Sequence, residues 1–149
     1  MKKQYLFGAL AFSAIFASCN NDSDAVLENT VKQEALMEEI VKIADSKKAK
    51  DIVALEVTEK TSLADYFLLM TGTSSTHIRA LSDEIEVKLK EKFGIYPHHV
   101  EGVTSSWILG DYTTVVVNVF LSEAREMYAL ERLWGDAKQV DLSGLVTAE

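Results

Sequence analysis

The sequence predicts an α/β (α+β) domain, a mixed β-sheet with helices packed on it. Three observations lead there. Apolar residues recur at helical spacing in three separated stretches. Between those stretches lie runs that alternate or are continuously apolar, as strands do. The chain has 149 residues, 48% of them hydrophobic and only one a proline, which suits a single domain with a sizeable core.

The elements follow in order. Thr30-Val31-Lys32-Gln33 fits a capping box that opens a helix, with Leu36, Ile40, Ile43 and Ala44 as its apolar stripe to about Ser46. Asp51 to Val57 alternates, placing Val53, Leu55 and Val57 on one face of a strand. After a polar turn at Glu59 to Ser62, Tyr66 to Met70 reads as a second strand buried on both faces. Thr71 to Ser75 is a loop with good N-cap residues. The helix after it carries Ile78, Leu81, Ile85 and Leu89, and stops at Gly94. Trp107-Ile108-Leu109 and Val115 to Phe120 form a hairpin around a turn from Gly110 to Thr114. A last helix from about Ser122 is expected to bury Met127, Leu130 and Trp134. The compact domain therefore spans 30–137, and 138–149 reads as a weakly patterned C-terminal tail.

Residues 1–24 differ from the rest and read as a leader with a polar linker. Lys2 and Lys3 precede an apolar run from Tyr5 to Ala17, then Ser18, Cys19 and a polar string from Asn20 to Asp24. That is the pattern of a secretory signal, and the run is too short to cross a bilayer. Phe16-Ala17-Ser18-Cys19 resembles a bacterial lipobox, which makes Cys19 the expected lipidation site and membrane anchor.

Composition removes several functions. Fifteen basic against 23 acidic residues give a net charge of −8, the wrong sign for a protein that binds bare nucleic acid by neutralising phosphates. An acidic domain can still dock on a basic protein of a ribonucleoprotein. One cysteine makes no internal disulfide, and three histidines give no structural zinc site. His98 and His99 are adjacent, so in an extended segment they point to opposite faces; His77 lies in a first helical turn. The loop Met70 to Ser75 places small residues at a helix N-terminus, where an anion can bind. It lacks the Gly-Lys-Ser/Thr ending of a P-loop and the glycines of a dinucleotide fingerprint, so a capped turn is expected. Asp83, Glu84 and Glu86 lie further along the helix and read as its solvated face. No catalytic set, metal site or cofactor is expected. What remains is the hairpin: Trp107 with Asp111 and Tyr112 can form an aromatic, acidic patch suited to a basic partner.

The same residues carry a resemblance. Lys50 to Val57, Ser62, Asp65 to Leu69, Thr71 to Ser75, Glu101-Gly102, Trp107 to Leu109, Asp111-Tyr112, Val115 to Val117, Val119-Phe120 and Arg125 to Trp134 resemble, in order and spacing, the ribosomal silencing factor (RsfS, Iojap-like) family. The resemblance implies a nucleotidyltransferase-like fold without catalytic carboxylates, and a regulator rather than an enzyme. It implies binding to the large ribosomal subunit at an intersubunit-face ribosomal protein, the fourteenth of its series. That binding blocks subunit association and represses translation. It points to Trp107 and Asp111 as partner-face residues, with Glu101, Tyr112 and Asp65 beside them. A monomer or weak dimer is expected. The chain departs from the family at Gly110 (a bulky apolar residue), at Thr113-Thr114 (a small residue then Asp) and at Asn118 (commonly His). The family works in the cytoplasm or in ribosome-containing organelles, whereas a true lipobox makes the chain an exported, lipid-anchored binding domain of unknown ligand. A leader that is only an extension or fusion leaves the cytoplasmic reading standing.

Overall fold

The computed structural model describes residues 22–147, with side chains from Lys32 onward. The leader and Cys19 lie outside the described residues. The chain divides into two units, Met1–Lys32 and Gln33–Glu149, and the architecture below is that of the second.

Helix α1 runs Asp22–Ser46 and is followed by strands β1 (Lys50–Glu56) and β2 (Tyr66–Gly72). Helix α2 (Ser75–Phe93) leads to β3 (His99–Glu101), β4 (Trp107–Asp111) and β5 (Val115–Leu121). Two short helices, α3 (Ser122–Tyr128) and α4 (Leu130–Leu133), precede β6 (Lys138–Gln139). The strands form one sheet in the order β3-β4-β5-β2-β1-β6. β2 and β5 are parallel, and every other neighbouring pair is antiparallel. The mixed sheet is the one the sequence predicts.

Because strand side chains alternate, each strand feeds both faces of the sheet. One face is covered by helices: Met37 and Ile40 of α1 and Ile78, Leu81, Ile85 and Leu89 of α2 pack over Ala54, Leu68, Met70, Ile108, Val117 and Val119. On the opposite face Leu55, Val57, Leu69 and Phe120 pack with Ala124, and Val53, Phe67, Trp107, Leu130 and Trp134 close around them half-buried. Phe67 and Trp134 meet edge to face at 5.1 Å. The expected stripe of α2, its cap at Ser74 and its stop at Gly94 are all present, with Ser74 accepting from the His77 amide and Gly94 left-handed at φ 67°.

Five expectations change. The first helix begins at Asp22, so Thr30 lies inside it instead of capping it. No proline or glycine stands between Asp22 and Thr30 to halt helix growth. Gly110 and Asp111 belong to β4, which shortens the turn to Tyr112–Thr114, with Thr113 left-handed at φ 73°. The last helix breaks at Ala129 (φ 46°), which shifts the phase: Leu130 and Trp134 still pack inward, but Met127 is 71% exposed. His98 precedes β3 instead of lying in it, so the His98 and His99 rings are not thrown to opposite faces but lie 4.6 Å apart. The stretch read as a tail also supplies β6, paired with Leu55 and Glu56, and the buried Leu142.

Candidate partner interface

The face opposite α1 and α2 is covered only in part. Short helices α3 and α4 close it around Phe120 and Leu55, and the half toward β3 stays open. Register places residues on this open half. Glu101 lies across from Leu109, which lies across from Asn118; His99 lies across from Asp111, which lies across from Val116. Trp107, Leu109 and Asp111 alternate with buried Ile108 and Gly110 and stay half-buried. The result is an apolar strip of Trp107, Leu109 and Val116 with carboxylates of Asp111 and Glu101 around it.

Local chemistry fixes this arrangement. Between β3 and β4 the Gly102 carbonyl accepts from the Ser105 amide at 2.9 Å and from its hydroxyl at 2.9 Å. The same hydroxyl oxygen lies 2.8 Å from the Trp107 carbonyl oxygen, so its single proton serves one of the two carbonyls at a time. Gly102 has φ 77°, and a Cβ there would collide with the Trp107 carbonyl oxygen, so only glycine makes this approach. At the other end of β4, Asp111 Oδ1 accepts from the Thr113 amide at 2.9 Å and holds the turn.

Of the expected site residues, Trp107, Asp111 and Glu101 share this face. Asp65 sits at the same end of the sheet as the turn, its amide donating to the Thr114 carbonyl at 2.8 Å. Tyr112 does not join them. Being the next residue after Asp111, it turns to the helix side, where it is 5% exposed. Burial pushes its phenol well above the usual tyrosine range, helped by the nearby Glu86 of α2. The Tyr112 ring lies over Gly110, where an added Cβ would stand 3.2 Å from it. The glycine in place of a bulky residue thus makes room for the tyrosine.

Three further residues contribute, and of these the sequence marks only Asn118, as a departure from the family's usual His. Asn118 is 2% exposed; its Oδ1 accepts from the Trp107 indole N–H at 3.1 Å and its Nδ2 donates to the Leu68 carbonyl at 3.2 Å. Tyr128 lies against the Trp107 ring at 4.8 Å. Arg125 ties α3 to the sheet, donating to the Asp51 carbonyl (2.6 Å), the Thr71 hydroxyl (2.8 Å) and Glu131 (2.7 Å). Apart from Arg125–Glu131 and the hairpin pair Trp107–Asn118, these pairings join residues far apart in sequence, and no local pattern announces them.

The Gly72 loop is a capped turn, as expected. His77 Nδ1 accepts from the Thr73 amide at 2.9 Å, and its Nε2 lies 2.8 Å from the Lys47 carbonyl, so this histidine bridges the loop to the end of α1. Among the described residues no three of His, Cys, Asp or Glu cluster closely enough to hold a metal ion, and no helix is long and apolar enough to cross a membrane.

Fold and site together define a small α/β sheet domain with one partly open, acid-rimmed sheet face. Residues 30–149 match the family described as ribosomal silencing factor during starvation, RsfS. A ribosomal silencing factor RsfS of Halalkalibacterium halodurans is 36% identical over 118 residues, covering 78% of this chain and all of that protein. The mouse mitochondrial assembly of ribosomal large subunit protein 1 is 31% identical over 98 residues, 64% of this chain and 43% of that protein. A crystal structure of a protein from Chromobacterium violaceum superposes with a TM-score of 0.66 at 33% identity, covering 75% of this chain and 93% of the other. The chain belongs to the RsfS family.

Proposed function

We propose that this protein is a ribosomal silencing factor, a regulator and not an enzyme. In this reading it docks on a basic ribosomal protein of the large subunit, blocks subunit association and represses translation. The observation that supports this most is the open sheet face. Half-buried Trp107 and Leu109 follow one another along one face of β4, with Glu101 across from Leu109 on β3 and Asp111 two residues further along β4, an apolar strip with carboxylates beside it. A net charge of −8 opposes direct contact with RNA and favours a basic protein surface. The name of the mouse relative, which refers to assembly of the large ribosomal subunit, supports the choice of subunit. This role places the working protein in the cytoplasm.

The test is pelleting with purified large subunits at low and moderate salt. Because Asp111 Oδ1 also holds the Thr113 amide, Asp111→Lys removes a turn bond together with a charge. Asp111→Asn keeps an acceptor at that position and removes only the charge. Both should weaken binding, Asp111→Lys by about 2–5 kcal/mol if the contact is desolvated and nearer 1 kcal/mol at an exposed rim. The rim case also fades with salt. If the parent protein does not pellet, the reading fails. If both variants pellet like the parent at both salts, Asp111 leaves the site.

A further inference from the structure

The Trp107 indole is held from three sides. Its N–H is spent on Asn118 Oδ1 at 3.1 Å, its ring stacks on Phe120 at 5.1 Å with planes 24° apart, and Tyr128 lies against it at 4.8 Å. Asn118 is itself fixed, 2% exposed and anchored through Nδ2 to the Leu68 carbonyl of the central strand. Phe120 is fully buried and Tyr128 half-exposed at 49%, so the clamp joins the core to the surface. We propose that Asn118 and Tyr128 are positioning residues that pre-set Trp107 as a rigid, purely apolar anchor for the partner. This rests on the partner reading above.

The physical reasons are two. A buried polar N–H must find an acceptor, and here the acceptor is internal. The partner therefore meets only the ring and needs an apolar pocket with no acceptor aimed at the indole. A tryptophan already locked in one rotamer also loses less side-chain freedom on binding than a free one, so the clamp raises affinity without touching the partner. Asn118 is too buried to contact the partner itself; its effect has to pass through Trp107.

The experiment compares the full chain with Asn118→Leu and Tyr128→Ala. Two readouts are needed: the ¹⁵N-indole resonance of Trp107 with its exchange against water, and pelleting with purified large subunits. The Trp107 signal is identified by its loss in Trp107→Phe. In Asn118→Leu the indole proton should exchange faster and binding should weaken roughly three- to tenfold, the scale of one freed side chain. Tyr128→Ala should broaden or shift the same resonance and weaken binding comparably, with unchanged circular dichroism. Tyr128 is half-exposed at the end of α3, so this variant carries the test even if Asn118→Leu does not fold. An altered indole signal with undiminished pelleting in a folded variant overturns the positioning role and leaves the partner reading intact. A parent that does not pellet overturns both.

Discussion

Leu68→Ala is the sharpest probe of the fold. Leu68 is fully buried in β2, with Ala54 of β1 and Val117 of β5 directly across from it. Truncation removes three carbons from the core, about 2.4 kcal/mol at ~0.8 kcal/mol each. A void of roughly 80 Å³ that does not collapse adds up to about 2 kcal/mol at ~24 cal/mol per Å³. Collapse is hindered because the flanking strands are pinned by backbone hydrogen bonds on both sides. The expected loss is therefore about 2.5–4.5 kcal/mol, a fall in melting temperature of roughly 10–15 °C for a domain of this size. Urea unfolding followed by circular dichroism reads it as a lower midpoint at constant slope. Met127→Ala is the control: at 71% exposure it should cost under about 0.5 kcal/mol. Equal losses for the two variants, or a Leu68 loss below about 0.5 kcal/mol, would refute the assignment of core and surface.

Thr113 is β-branched and left-handed at φ 73°, a conformation that asparagine tolerates better. Thr113→Asn should raise stability by about 0.5–1 kcal/mol, seen as a higher melting temperature; a lower one refutes the strain. Tyr112 ionises later in the folded chain than in the unfolded one because burial raises its phenol. Its stabilising effect is thus intact below the ordinary tyrosine range near pH 10 and is lost as pH rises above it. Urea midpoints between pH 9 and about 11 should fall less steeply in Tyr112→Phe than in the parent, and parallel slopes would exclude this source. Cys19→Ala in an expressing cell tests the leader. If the lipobox-like stretch is processed, the parent fractionates with membranes and the variant does not; identical distributions remove the lipid anchor.

Sequence by itself determined the elements whose information is local. The stripe of Ile78, Leu81, Ile85 and Leu89, the cap at Ser74 and the stop at Gly94 are set by spacing and backbone chemistry within one helix. The alternation of Val53, Leu55 and Val57 likewise places all three in one cluster on the same side of the sheet, Val57 just past the end of β1. The residues of the hairpin name Trp107 and Asp111 as candidates and the family resemblance adds Glu101, but their common face depends on register between β3 and β4. Tertiary structure decided the rest. Two residues, Lys138 and Gln139, make too short a pattern to read as a strand, yet the open edge of β1 recruits them. A single left-handed residue, Ala129, turns Met127 outward, and no periodicity marks where such a break falls. The continuation of β4 through Asp111 sends Tyr112 beneath α2, away from the carboxylate that precedes it. Asn118 reads in the sequence as a lone polar residue in an apolar strand. Only packing brings it to the Trp107 indole, because a hydrogen bond between strands depends on register and side-chain direction, which one strand's sequence does not contain.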